Sequence, residues 1–101
     1  MIQNYKKAIK INPKNADAYF NLANALYQQG KLEEAIQNYK KAIEINPNKA
    51  EAYYNLALAL KKQGKLEEAI QNYKKAIEIN PKDDQAYNNL ANALCQQGKL
   101  E

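Results

Sequence analysis

Apolar residues along this chain recur three and four positions apart, in two stripes that alternate. One stripe is Tyr19, Leu22, Ala23 and Leu26, returning as Tyr53, Leu56, Ala57, Leu60 and again as Tyr87, Leu90, Ala91, Leu94. The other is Leu32, Ala35, Ile36, Tyr39, Ala42 and Ile43, returning as Leu66, Ala69, Ile70, Tyr73, Ala76 and Ile77. Such spacing gathers apolar side chains on one flank of a helix and leaves the opposite flank polar. Two kinds of punctuation separate the stripes. Asn-Pro pairs at 12–13, 46–47 and 80–81 stop a helix, and Gln-Gly pairs at 29–30, 63–64 and 97–98 place a glycine just past a helix end. The pattern predicts six helices, over residues 2–11, 16–28, 32–45, 50–62, 66–79 and 84–97, with no strand. The short links imply that consecutive helices run antiparallel.

The stripes are units of one repeat. Glycines stand at 30, 64 and 98 and prolines at 13, 47 and 81, a step of 34 residues in each series. Residues 30–47 recur unchanged as residues 64–81. A fixed period of this size signals an α-solenoid, in which each unit buries its apolar flank only against its neighbours. Caps should differ between repeats. Asn15 and Asp83 can accept from the first amides of the helices they precede, whereas Lys49 at the matching place cannot.

Composition narrows function mainly by what it removes. The chain lacks His, Ser, Thr, Arg, Trp and Val, and it carries a single cysteine, Cys95. It therefore has no imidazole for proton transfer near neutrality and no hydroxyl nucleophile but tyrosine. No His/Cys cluster can hold zinc and no Gly-x-Gly pair can cradle phosphate, so neither metal nor cofactor is implied. The reading is of a non-enzyme. The net charge of +4 is carried by lysines interleaved with glutamates. Without a basic block, and without arginine for bidentate phosphate contacts, the pattern argues against nucleic acid and for a solvated surface. No stretch approaches the length of a membrane span. A lone cysteine accords with a reducing, cytoplasmic compartment.

Residues 16–49 and 50–83 resemble tetratricopeptide repeats, and the resemblance extends over the whole chain. Tyr19 stands at the family's tryptophan, Leu22 at its leucine and Gly30 in its internal turn. Ala35, Tyr39, Ala42 and Pro47 match the small, aromatic, small and proline positions of the second helix. Ala23, Ala57 and Ala91 replace the usual glycine, and Leu26, Leu60 and Leu94 an aromatic. The resemblance implies one domain, residues 1–101, wound as a right-handed superhelix of helix pairs. Residues 1–15 form a half repeat, 16–49 and 50–83 full repeats, and 84–101 a second half repeat. The first helix of each pair, A, would line a concave groove, and the second, B, the outside. Such modules hold an extended peptide or a helix of another protein.

Carried over by register, the groove positions are Asp17, Phe20, Asn21, Asn24, Tyr27 and Gln28 on the first A helix. The second supplies Glu51, Tyr54, Asn55, Leu58, Lys61 and Lys62, and the third Gln85, Asn88, Asn89, Asn92, Cys95 and Gln96. Asn21, Asn55 and Asn89 share one register. Each amide offers a donor and an acceptor, so together they can pair with peptide-bond units whatever the ligand's side chains. This ladder is similar to the repeat domain of O-linked N-acetylglucosamine transferase; otherwise these are repeat-consensus side chains facing water. Phe20, Tyr54 and Tyr27 either anchor an apolar ligand side chain or pack between helices. Phe20, Gln85 and Asn89 occupy places where the family's clamp for chaperone C-terminal carboxylates has basic residues, which disfavours that partner. Lysines 40–41 and 74–75 lie on B helices, where Lys40 can pair with Glu44 four residues on.

Residues 1–5 align with 35–39, inside a B helix, and residues 99–101 align with 31–33, where the next B helix would open. The flank Tyr87, Leu90, Ala91, Leu94 then lacks a B helix, and Ile2, Tyr5, Ala8, Ile9 lack an A helix. A head-to-tail contact between copies, the final A helix docking on another copy's first B helix, would cover both. That contact is heterologous and builds an open filament unless its rotation closes. Two final A helices pairing about a two-fold axis, with Cys95 near Cys95, is a different route. The alternative to a peptide-binding scaffold is thus a self-assembling, consensus-like repeat with no natural ligand. Repeat identity favours the alternative. Variation at 20/54/88, 24/58/92 and 27/61/95, in otherwise near-constant repeats, favours a functional groove.

Overall fold

The computed structural model describes residues 1–98, and the expected opening of a further helix at 99–101 lies outside them. Six α-helices fill the described residues: α1 (Ile2–Ile11), α2 (Ala16–Gln28), α3 (Leu32–Ile45), α4 (Ala50–Lys62), α5 (Leu66–Ile79) and α6 (Asp84–Gln96). No strand occurs among them. The chain divides into two compact units, Met1–Asn48 and a second that begins at Lys49. In the first, α2 packs on α3 and α1 on α2; in the second, α4 packs on α5 and α5 on α6.

Each helix ends for a local reason. After α2, Gly30 takes φ +81, its amide donates to the Tyr27 carbonyl (3.0 Å) and the Lys31 amide to that of Leu26 (2.9 Å). Those two bonds satisfy carbonyls that the helix cannot, and a residue with a Cβ resists the left-handed conformation they require. The same closure follows α4, with Gly64 at φ +86. After α3 and α5 the chain extends at Asn46 and Asn80, as the residue before a proline prefers.

Helix starts divide as the side chains dictate. Asn15 Oδ1 accepts from the Ala18 amide (3.1 Å), and Asp83 Oδ1 accepts from Gln85 (3.1 Å) and Ala86 (3.3 Å). Lys49 makes no such bond at the head of α4. Lys31 and Lys65 make none either, but α3 and α5 carry Glu33–Glu34 and Glu67–Glu68 in their first turns. Carboxylates there oppose the positive end of the helix dipole.

The apolar stripes form the core of each unit. In the first, Leu22, Ala23 and Leu26 of α2 are buried with Ala35, Ile36, Tyr39 and Ala42 of α3. In the second, Leu56, Ala57 and Leu60 of α4 are buried with Ala69, Ile70, Tyr73 and Ala76 of α5. Ala23, Ala35, Ala57 and Ala69 are wholly inaccessible, as small residues must be where two helices approach closely. On α6 the expected stripe is not buried. Tyr87 and Ala91 are exposed and Leu90 and Leu94 half-buried, while Ala86 and Ala93 are the residues this helix hides.

Candidate functional site

The side chains expected to meet a ligand lie at i, i+3, i+4 and i+7 on α2, α4 and α6, a spacing that aligns them along one flank. On α2, Asp17 and Gln28 are exposed, and Phe20, Asn21, Asn24 and Tyr27 are half-buried. On α4, Glu51 and Lys62 are exposed, with Tyr54, Asn55, Leu58 and Lys61 half-buried between them. On α6, Asn89 is half-buried, while Gln85, Asn88, Asn92, Cys95 and Gln96 are exposed.

Several of these residues hold one another. In the first unit the Phe20 ring meets Tyr39 edge-on, centroids 6.0 Å apart and planes at 60°. The Tyr39 hydroxyl, on a side chain only 1 % exposed, donates to Asn24 Oδ1. Burial is the main cause that pushes the Tyr39 phenol above its ordinary range, with the nearby Tyr27 hydroxyl adding to it. Tyr54 meets Tyr73 in the same way in the second unit, at 5.8 Å and 65°. Phe20 and Tyr54 therefore pack on the B helix of their own pair while keeping one flank accessible. Asn24 uses its oxygen internally, a role that its register alone did not disclose.

Asn89 is the best-defined polar group of the surface. Its Nδ2 donates to the Tyr54 hydroxyl (2.8 Å) and to the Gln85 carbonyl (2.8 Å). A backbone carbonyl can only accept, so the nitrogen faces Gln85 and the amide orientation is fixed. Both amide hydrogens are thereby used. What Asn89 retains for a ligand is its Oδ1 acceptor, so this rung is narrower in chemistry than a free asparagine. The first unit has open recesses lined by Met1, Ile2, Gln3, Ala25, Gln28 and Gln29 (≈ 490 Å³) and by Pro13, Lys14, Lys41, Glu44 and Ile45 (≈ 360 Å³). Of these residues only Gln28 belongs to the stripe. Among the described residues no group of three His, Cys, Asp or Glu side chains could share a metal ion. No helix of the described residues is long and apolar enough to cross a membrane.

On the B helices, Lys41 pairs with Glu44 (3.6 Å) and Lys75 with Glu78 (3.4 Å), both three residues apart and well exposed. Solvated pairs of this kind add little to stability.

Comparison with known proteins agrees with this architecture. The family description "TPR repeat" matches residues 2–30, 23–64 and 59–98, and the chain belongs to that family, whose members are protein-interaction scaffolds. No curated protein matches it significantly. Among solved structures, a crystal structure of MamA superposes with TM-score 0.94 at 32% identity, over 97% of this chain and 57% of that one. A second MamA crystal structure gives 0.93 at 32% identity, over 97% and 54%. The first TPR domain of Spaghetti (RPAP3), solved with the HSP90 peptide SRMEEVD, gives 0.93 at 27% identity, over 96% and 77%. The chain thus spans a little over half the length of MamA.

Proposed function

We propose that this chain binds an extended or helical segment of another protein along the A-helix flanks, with asparagines contacting the ligand backbone. The observation that carries the reading is the fixed Asn89 amide. Its two donors are spent on Tyr54 and Gln85, and the oxygen of this half-buried residue remains as an acceptor. Fixing a side chain in advance lowers the entropy lost on binding. Tyr54 beside it and Phe20 on α2 offer aromatic flanks already braced by Tyr73 and Tyr39. Aromatics held in this way are common anchors of interfaces.

The peptide bound by the RPAP3 domain ends in acidic and carboxylate groups. Phe20, Gln85 and Asn89 supply no cation for them, and the acceptor that Asn89 retains would repel a carboxylate. The favoured ligand presents backbone N–H groups and apolar side chains. A peptide selected from a displayed random library on the chain should bind the variant Asn21→Ala, Asn55→Ala, Asn89→Ala at least tenfold more weakly. SRMEEVD should bind the unaltered chain more weakly than the selected peptide. Equal affinity of the triple variant would discard the asparagine contact, and tighter binding of SRMEEVD would replace the ligand class.

A further inference from the structure

Among the described residues two helix flanks are left open, and each has the residues that cover the other elsewhere in the same chain. On α6, Tyr87 is 48% exposed and Ala91 is exposed, whereas on α2 and α4 the counterparts of Tyr87, Tyr19 and Tyr53, are half-buried and those of Ala91, Ala23 and Ala57, are fully buried. On α1, Ile2, Tyr5 and Ala8 are half-buried, whereas the matching Ile36, Tyr39 and Ala42 of α3 are buried. The sequence of α1 is that of residues 36–45 with one change, Lys10 for Glu44.

We propose that a second copy of this chain covers α6 with its α1, in the pairing that α2 makes with α3. The α2–α3 contact supplies the template. There Tyr39 donates to Asn24 Oδ1; the counterpart of Tyr39 is Tyr5, and that of Asn24 is the exposed Asn92. The docked pair therefore contains a Tyr5 hydroxyl donating to Asn92 Oδ1 between copies. Charges at the far end of the pair change together. Glu44 shares a recess with Lys14 beside Asn15 and Ala16. In the docked pair Lys10 takes the place of Glu44, and Asp83 and Asp84 take those of Asn15 and Ala16 beside Lys82. A cation thus meets two carboxylates where an anion met a lysine. One substitution works against the contact, since Asn88 replaces Phe20, whose ring packs on Tyr39. Residues following in a longer chain would compete for the same flank, so the contact belongs to the 101-residue chain.

The contact joins unlike surfaces, and sedimentation equilibrium of three chains tests it. The unaltered chain should show a weight-average mass that rises from micromolar to millimolar concentration. Tyr87→Glu with Ala91→Glu closes the α6 flank, and Tyr5→Glu with Ile9→Glu closes that of α1. Each variant alone should be monomeric, and an equimolar mixture should reach the mass of two chains and go no higher. Helical content by circular dichroism establishes that each variant is folded. Should the α1 variant fray, Tyr5→Phe and Asn92→Leu serve instead: each should weaken association about fivefold, and the double variant no further. An unaltered chain that is monomeric throughout would overturn the proposal. So would an α1-flank variant that still dimerises, the mark of two α6 helices pairing about a two-fold axis.

Discussion

Tyr39 is the residue on which the first unit turns. Its ring fills the core, its edge receives Phe20, and its hydroxyl is satisfied by an asparagine fifteen residues earlier. A neutral hydrogen bond of this kind contributes about 1 kcal/mol net, and stranding a buried partner costs about 1–3 kcal/mol. Asn24→Leu and Tyr39→Phe should each destabilise the chain by about 1 kcal/mol in urea. Because the two residues share one bond, the double variant should lose less than the sum. Additive losses would show that the pair does not interact. Burial also sets a pH dependence. The Tyr39 phenol is raised in the folded chain, while in the unfolded chain it ionises near about pH 10. Its contribution is complete below that pH and is lost as pH climbs above it, at up to about 1.4 kcal/mol per pH unit. Tyr39→Phe should make stability less steep between pH 10 and 11, measured by chemical denaturation. An unchanged slope would remove Tyr39 as a cause.

At the scale of elements, helix ends explain where stability can be added or lost. Lys49 heads α4 without accepting a bond, and its amine reaches the exposed Glu51 only at 4.0 Å. Lys49→Asp should stabilise the chain by about 1 kcal/mol, because the carboxylate both caps the helix and suits its dipole. Gly64→Ala should cost about 1–2 kcal/mol. An added Cβ there meets nothing within 4 Å, so the cost would come from the backbone at φ +86 alone. A neutral result in thermal unfolding would contradict that attribution. These ends were also the most legible part of the sequence. Five helices have the bounds that the Asn-Pro and Gln-Gly punctuation implies, and α6 closes at Gln96, one residue early. Periodicity reads which flank of a helix is apolar because that depends on neighbours three and four positions away. It does not read the Tyr39–Asn24 or Asn89–Tyr54 bonds, which join side chains of different helices. Register places Asn24 and Asn89 on the accessible flank of their helices, and only the fold shows that their hydrogen bonds are partly spent at home.

At the scale of the molecule, near-identical helical pairs carry surfaces that differ. The B helices repeat almost unchanged, while the A flanks vary from Phe20 and Asn24 to Tyr54 and Leu58 to Asn88 and Asn92. Constancy is what packing within each pair demands, and the variation at these positions falls where packing leaves side chains accessible. That division accords with the peptide-binding scaffold proposed from the fixed Asn89 amide, in which Asn21, Asn55 and Asn89 stay constant beside the varied positions. The side-chain amides can be followed one by one by NMR while a selected peptide is titrated into labelled chain. Asn38 and Asn72 provide an internal reference, since they lie on α3 and α5 and donate to the Glu34 and Glu68 carbonyls. The account predicts that the side-chain signals of Asn21, Asn55 and Asn89 shift on binding while those of Asn38 and Asn72 stay. Shifts at Asn38 and Asn72, with the other three unmoved, would place the ligand on the B helices and contradict it.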